Sequence, residues 1–179
     1  LILPLLISSV IFGYMAFRKE AVDVMYAKVV SAPGLVTSFE LPDQSRVWLN
    51  ANSELRYPVR FDGKIRKVEL KGEGYFEVKS DREHPFYVAT PAGLKVMACG
   101  TRFNVNTQDS KTETTLAEGM VVLLNHDHDI LKEMLPGEEV LFDNETKELI
   151  TEEVNLYEKL AWKDGKIIFR NAPLEKVFE

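Results

Sequence analysis

Cysteine is almost missing from this chain: Cys99 is the single one in 179 residues. No internal disulfide is possible, and a domain of this length can build a core without one. Cys99 follows Val96, Met97 and Ala98, so it reads as a small buried hydrophobe rather than a nucleophile. Histidine is also scarce, with His84, His126 and His128 alone. A structural zinc site needs four ligands and a catalytic one three. His126 and His128 would share one face of a strand. They sit, however, in Asn125-His126-Asp127-His128-Asp129, a polar stretch between apolar runs, and that reads as a hairpin loop. No metal and no cofactor are expected.

Positive charge is in deficit: the formal net charge is −6. That argues against nucleic acid as a partner, which calls for a basic surface. Lys64, Arg66, Lys67 and Lys71 form the one basic cluster. They interleave with Ile65, Val68 and Leu70, which reads as a solvated strand face. No Ser-His-Asp or Cys-His arrangement has local support. Gly72-x-Gly74 is not followed by a helix, as a dinucleotide loop requires. Glu73 with Glu77, or Asp81 with Glu83, are the carboxylate pairs a glycosidase would need. Gly72 and Gly74 beside Glu73 point instead to a backbone bend, with Glu73 bonding turn amides. No catalytic residue is assigned, and the chain is not expected to be an enzyme.

What is present begins with Leu1 to Phe17, a run without charge, followed by Arg18, Lys19 and Glu20. A membrane span cut at its start fits this run best, because a span takes ~20 apolar residues and the chain opens on Leu. A signal-peptide core and a buried core helix are the alternatives. From there the pattern is of short strands. Val36–Leu41 and Arg46–Leu49 flank the turn Pro42-Asp43-Gln44-Ser45. Leu55, Tyr57, Val59 and Phe61 alternate up to Asp62-Gly63, a hairpin signal, and 65–70 returns. Segments 75–78, 86–89, 94–98 and 102–105 follow. Segments 112–116 and 120–124 flank Glu118-Gly119, 130–134 pairs with the latter, and 140–143 with 148–151 forms a last hairpin. Strands at this spacing imply a mainly β fold, a sandwich, a barrel or an irregular solenoid. Tyr75, Phe76, Phe86, Val88, Val96, Phe103 and Val105 are the expected core. Adjacent Tyr75 and Phe76 cannot share a face, so a bulge or corner at Gly74 is expected.

The pattern changes near the end. Val154, Leu156, Tyr157, Leu160 and Ala161 have helical spacing. A strand at 165–169 and a helix capped by Asn171 follow, with Leu174, Val177 and Phe178 as the apolar face. This reads as the start of a small α+β module. The resulting division is a transmembrane helix over 1–19, a β-domain over 20–152, and a linker helix with the opening of a βαβ-type module over 153–179.

The run LKGEGYFEVKSDREHPFYVATPAGLKVMACGTRFNV, residues 70–105, resembles the core signature of the FecR family of transmembrane sigma-factor regulators. Leu70, Gly72, Glu73, Tyr75, Phe76, Glu77, Val78, Pro85, Phe86, Val88, Thr90, Val96, Gly100, Thr101, Phe103, Asn104 and Val105 carry the match. Leu41-Pro42-Asp43-x-Ser45, Trp48-Leu49-Asn50, Arg66-x-Val68, Leu116-x-Glu118-Gly119-x-Val121 and Trp162-x-Asp164-Gly165-x-Ile167-x-Phe169 extend it. Gln44 departs from it, where the family turn carries glycine, and so does Ala98-Cys99. The resemblance implies a single-pass inner-membrane anti-sigma factor with a periplasmic C-terminal part. Its partners would be an extracytoplasmic-function sigma factor, through a cytoplasmic N-terminal segment, and the signalling domain of a TonB-dependent outer-membrane receptor for iron or glycan uptake. Trp162, Phe169, Leu174, Val177 and Phe178 are the expected receptor-binding residues. A membrane-anchored carbohydrate-binding or carbohydrate-cleaving β-domain is the alternative; it needs Trp48, Tyr57 and Tyr75 exposed.

Overall fold

The computed structural model describes residues 24–166 and Ile168. Alternating apolar and polar residues fold into β1 (Tyr26–Val30), β2 (Thr37–Glu40), β3 (Arg46–Leu49), β4 (Glu54–Pro58), β5 (Arg66–Lys71), β6 (Glu73–Glu77) and β7 (Phe86–Ala89). The series continues with β8 (Lys95–Ala98), β9 (Arg102–Asn106), β10 (Lys111–Glu118), β11 (Val121–Leu124), β12 (Ile130–Met134), β13 (Glu138–Asp143) and β14 (Leu149–Glu153). A short helix α1 (Leu156–Lys159) and a 3-10 turn (Ala161–Asp164) close the described chain. None of the described helices is long and apolar enough to cross a membrane. The expected span over 1–19 lies outside the described residues.

The strands form two seven-stranded sheets. The first runs β1-β4-β5-β7-β8-β11-β12, and the second β2-β3-β6-β9-β10-β13-β14. Strand number rises without exception across each sheet, because successive hairpins step from one sheet to the other. That explains why the spacing fits a sandwich and a solenoid alike. The layers are those of a sandwich, and its growth is stepwise along the chain. Among the described strands, every pairing is antiparallel except β5 with β7.

The core lies between the sheets. Phe76 and Phe103 from the second sheet stack at 5.2 Å, and Phe76 meets Phe86 of the first at 6.1 Å. Val47, Leu55, Val68, Val88, Val96, Val105, Leu116 and Leu123 are fully buried around them. Six of the seven expected core residues belong to this cluster; Tyr75 does not. No bulge occurs at Gly74. β6 stays in register with both β3 and β9, so Tyr75 and Phe76 simply point to opposite faces. Both are buried because the outer face of the second sheet is itself covered.

The pairings differ in part from the sequence reading. Segments 112–116 and 120–124, which flank Glu118-Gly119, belong to different sheets as β10 and β11, and 118–120 is the corner between them. β4 and β5 do pair, but only from Glu54–Lys71 to Arg56–Glu69. The chain between them is a wide loop rather than a tight turn at Asp62-Gly63: Tyr57 and Pro58 continue the pairing with β1 beyond the last β4–β5 pair. Pairings of β11 with β12 and of β13 with β14 are as expected.

Arg66 is not on a solvated face. It shares parity with Val68 and Leu70, points inward, and is buried. One terminal guanidinium nitrogen donates to Asp43 Oδ2 at 2.6 Å and to the Lys79 carbonyl at 3.0 Å; Nε donates to the His84 carbonyl at 2.7 Å. Arg66 thus pins the 42–45 turn and the 79–84 loop to β5. Breaking such a buried pair by removing one partner costs ~3–5 kcal/mol. Gln44 in that turn has φ +69°, the left-handed region where the family's glycine would sit without strain. Gly72 is similarly required: a Cβ there would collide with Ser53.

Candidate functional site: the covered outer face of the second sheet

One row of residues crosses all seven strands of the second sheet on its outer face. Register pairs Ser38 with Trp48, Trp48 with Tyr75, and Tyr75 with Asn104. It continues from Asn104 to Thr115, Glu139 and Glu152. An outer face packed on nothing would be exposed. Here Tyr75 is 3% exposed, Asn104 5% and Glu139 2%.

The cover is the segment after β14. Asn155 caps α1: its Oδ1 accepts from the Tyr157 N–H at 3.1 Å, and its Nδ2 donates to Glu158 at 2.9 Å. The helix lasts four residues, then tightens into the 3-10 turn, and Gly165 ends it at φ +68° with its N–H on the Trp162 carbonyl. The expected helix over 153–162 is therefore broken, with Glu153 still in β14. Of the strand expected over 165–169, Gly165 is a left-handed turn; Phe169, with Leu174, Val177 and Phe178, lies outside the described residues.

Two lysines fix this segment over the row. Lys159 Nζ reaches Glu139 Oε1 at 2.7 Å and Glu113 Oε2 at 3.8 Å. Lys163 Nζ lies 5.3 Å from the Tyr75 ring centre and 6.0 Å from that of Trp48. Trp48 and Tyr75 meet edge to face at 5.6 Å. Leu160 and Ala161, between the lysines, are buried. Trp162 is half-buried, and its indole N–H is shut off from solvent without an acceptor. The structure thus places Trp162 in the segment held on its own domain.

Under the cover, most polar groups are paired, though Asn104 Oδ1, like the Trp162 indole N–H, is buried without a partner. Glu73 accepts from Asn50 Nδ2 at 2.7 Å and from Asn104 Nδ2 at 2.9 Å. Its carboxylate takes the side-chain amides of Asn50, just past β3, and of Asn104 on β9 rather than turn amides. Thr115 donates to Glu139 at 3.0 Å. Burial, then the Glu77 carboxylate, pushes the Tyr75 phenol up to about 12. Burial raises the Glu113 carboxyl against the pull of Lys159. Burial opposes the charge on Lys159, but the Glu139 hydrogen bond and the carboxylates of Glu139, Glu113 and Glu152 outweigh it, and its ammonium is raised. Asp164 is lowered by its hydrogen bond from Lys163.

This arrangement holds a segment. Tyr75 and Trp48 are engaged by Lys163 rather than presented as an open stacking platform. His126 and His128 sit on the β11–β12 turn, as read from the sequence, with Lys95 Nζ 3.1 Å from His128 Nε2. Cys99 is half-buried rather than buried, its thiol on the Asp81 carbonyl at 3.4 Å.

A two-sheet β module that clasps its own C-terminal segment is the class these features define. The chain belongs to the FecR family: the family model described as FecR protein matches residues 27–122, more than half of the 179. Two solved structures of a candidate anti-sigma factor from Parabacteroides distasonis ATCC 8503 are similar. One, at 2.50 Å resolution, has a TM-score of 0.74 and 28% identity over 86% of this chain and 71% of that one. The other, at 1.65 Å, has a TM-score of 0.73 and 29% identity over 84% and 71%. No curated protein matches.

Proposed function

We propose that this chain is an anti-sigma regulator that relays a signal across the bacterial inner membrane. In this reading Leu1–Phe17 is the single membrane span and the β-domain is periplasmic. A cytoplasmic segment holds an extracytoplasmic-function sigma factor, and the signal comes from a TonB-dependent outer-membrane receptor. The family match carries the proposal, and the similarity to the Parabacteroides distasonis structures supports it. Geometry supplies the route. The segment from Leu156 to Asp164 leads from β14 into the C-terminal module, and it is clamped on the outer face by Lys159 and Lys163. A receptor that engages Phe169, Leu174, Val177 and Phe178 pulls on that clamp through Trp162. The domain acts as a binding and relay module rather than as an enzyme. The glycan-binding alternative loses its platform, because Tyr75 is covered.

The test is transcriptional. The chain with its natural flanks, expressed with its sigma factor, should change sigma-dependent reporter output, and the receptor's inducing ligand should reverse that change. Output that ignores both the regulator and the ligand would contradict the proposal.

A further inference from the structure

Exposed apolar side chains gather at the start of β1, on the sheet opposite the one that carries the clamp. Met25 is 72% exposed, and Val24, Tyr26, Val59 and Ile65 are exposed with it. They border an open groove of about 730 Å³ with Phe61 in its wall. The groove is built rather than frayed. Val59 N–H donates to the Met25 carbonyl at 2.9 Å, and the Phe61 ring packs on core Phe86 at 6.3 Å. Its rim carries more cations than anions in an acidic protein: Arg60 and Lys67 line it beside Asp62, Lys64 is adjacent in the chain, and Arg56 lies 3.8 Å over the Tyr26 ring, while Lys67 and Arg56 both pair with Glu69.

We infer that this groove docks on the bilayer surface, with Met25, Tyr26, Val59 and Ile65 at the acyl boundary and the basic rim on lipid phosphates. The inference rests on the proposed span at Leu1–Phe17. Seven Cα steps separate Phe17 from Val24 and reach at most about 25 Å, so such an anchor holds the groove beside the membrane. At so short a tether, a weak surface affinity is enough to keep it there. Apolar side chains flanked by Arg and Lys, with a Tyr among them, are the composition that binds an anionic interface. An orientation follows. Strand number rises from β1 to β12 and from β2 to β14 across the sheets. The N-terminal edge therefore rests on the membrane, and β14 stands six strand spacings away, about 29 Å.

The experiment uses the full chain in vesicles of phosphatidylcholine and phosphatidylglycerol. In a Cys99→Ser background, one fluorophore is placed at Ile65→Cys or at Ile150→Cys, an exposed position on β14. Lipids carry a quencher at the headgroup. The expected result is several-fold stronger quenching at 65 than at 150, reduced when Arg60 and Lys67 are changed to Glu. Equal quenching in protein that resists carbonate extraction overturns the docking alone. Extraction by carbonate overturns the anchor, and the docking with it.

Discussion

The space between the sheets and the outer face of the second sheet bury residues equally well but by different means. The interior is filled by Phe76, Phe86, Phe103 and the aliphatic residues around them, all from strands that pack wherever alternation places them. The outer face buries Tyr75, Asn104 and Glu139 under a segment that follows the last strand. The interior is held by area, while the outer face is held by two lysines and a run of hydrogen bonds. The first should be expensive to disturb and the second cheap, as a relay requires.

The largest expected effect is in the interior. Phe103→Ala removes a ring stacked on Phe76 and should destabilise by about 3–5 kcal/mol in denaturant titration. A loss near zero would mean that the interior is not where the stability lies. Lys159→Ala should be much milder. It takes the cation from the buried Glu139 carboxylate, which keeps only Thr115, but Lys159 is partly exposed and screened. A cost of about 1 kcal/mol is expected. A cost equal to that of Phe103→Ala would erase the contrast.

The smallest effect concerns Tyr75 and appears only in alkali. Its folded value, about 12, lies above the ordinary phenol value of about 10. A group raised on folding stabilises below its unfolded value, and that contribution fades as pH climbs from about 10 to about 12. Tyr75→Phe should therefore flatten part of the stability loss in this window and leave the acid side unchanged. An unchanged alkaline slope would mean that Tyr75 is not covered.

The sequence shows the interior well and the cover poorly, for a physical reason. Burial at Phe86, Val88, Val96, Phe103 and Val105 follows from period two, a local property. Which strand pairs with which is not local, so the sequence does not show that the β10–β11 corner steps from one sheet to the other. At Arg66 position outweighs charge: its parity with Val68 and Leu70 sets it inward, although a charged residue in a basic cluster reads as solvated. The cover left one trace, the adjacent aromatics Tyr75 and Phe76. Two large rings side by side in a straight strand require both faces to be buried. Glu139 left none, because a glutamate beside Val140 looks like any solvent-facing residue. The two lysines are ordinary in a polar helix, and their partners lie across the sheet.

Zero-length carbodiimide coupling, read by mass spectrometry of the folded chain, tests the clamp most directly. Lys159 Nζ and the Glu139 carboxylate are 2.7 Å apart. Coupling between Lys159 and Glu139 or Glu113 is predicted, and it should vanish on unfolding. If folded protein shows Lys159 uncoupled, or joined only to carboxylates off the outer face of the second sheet, the segment does not dock there and the account of the relay fails.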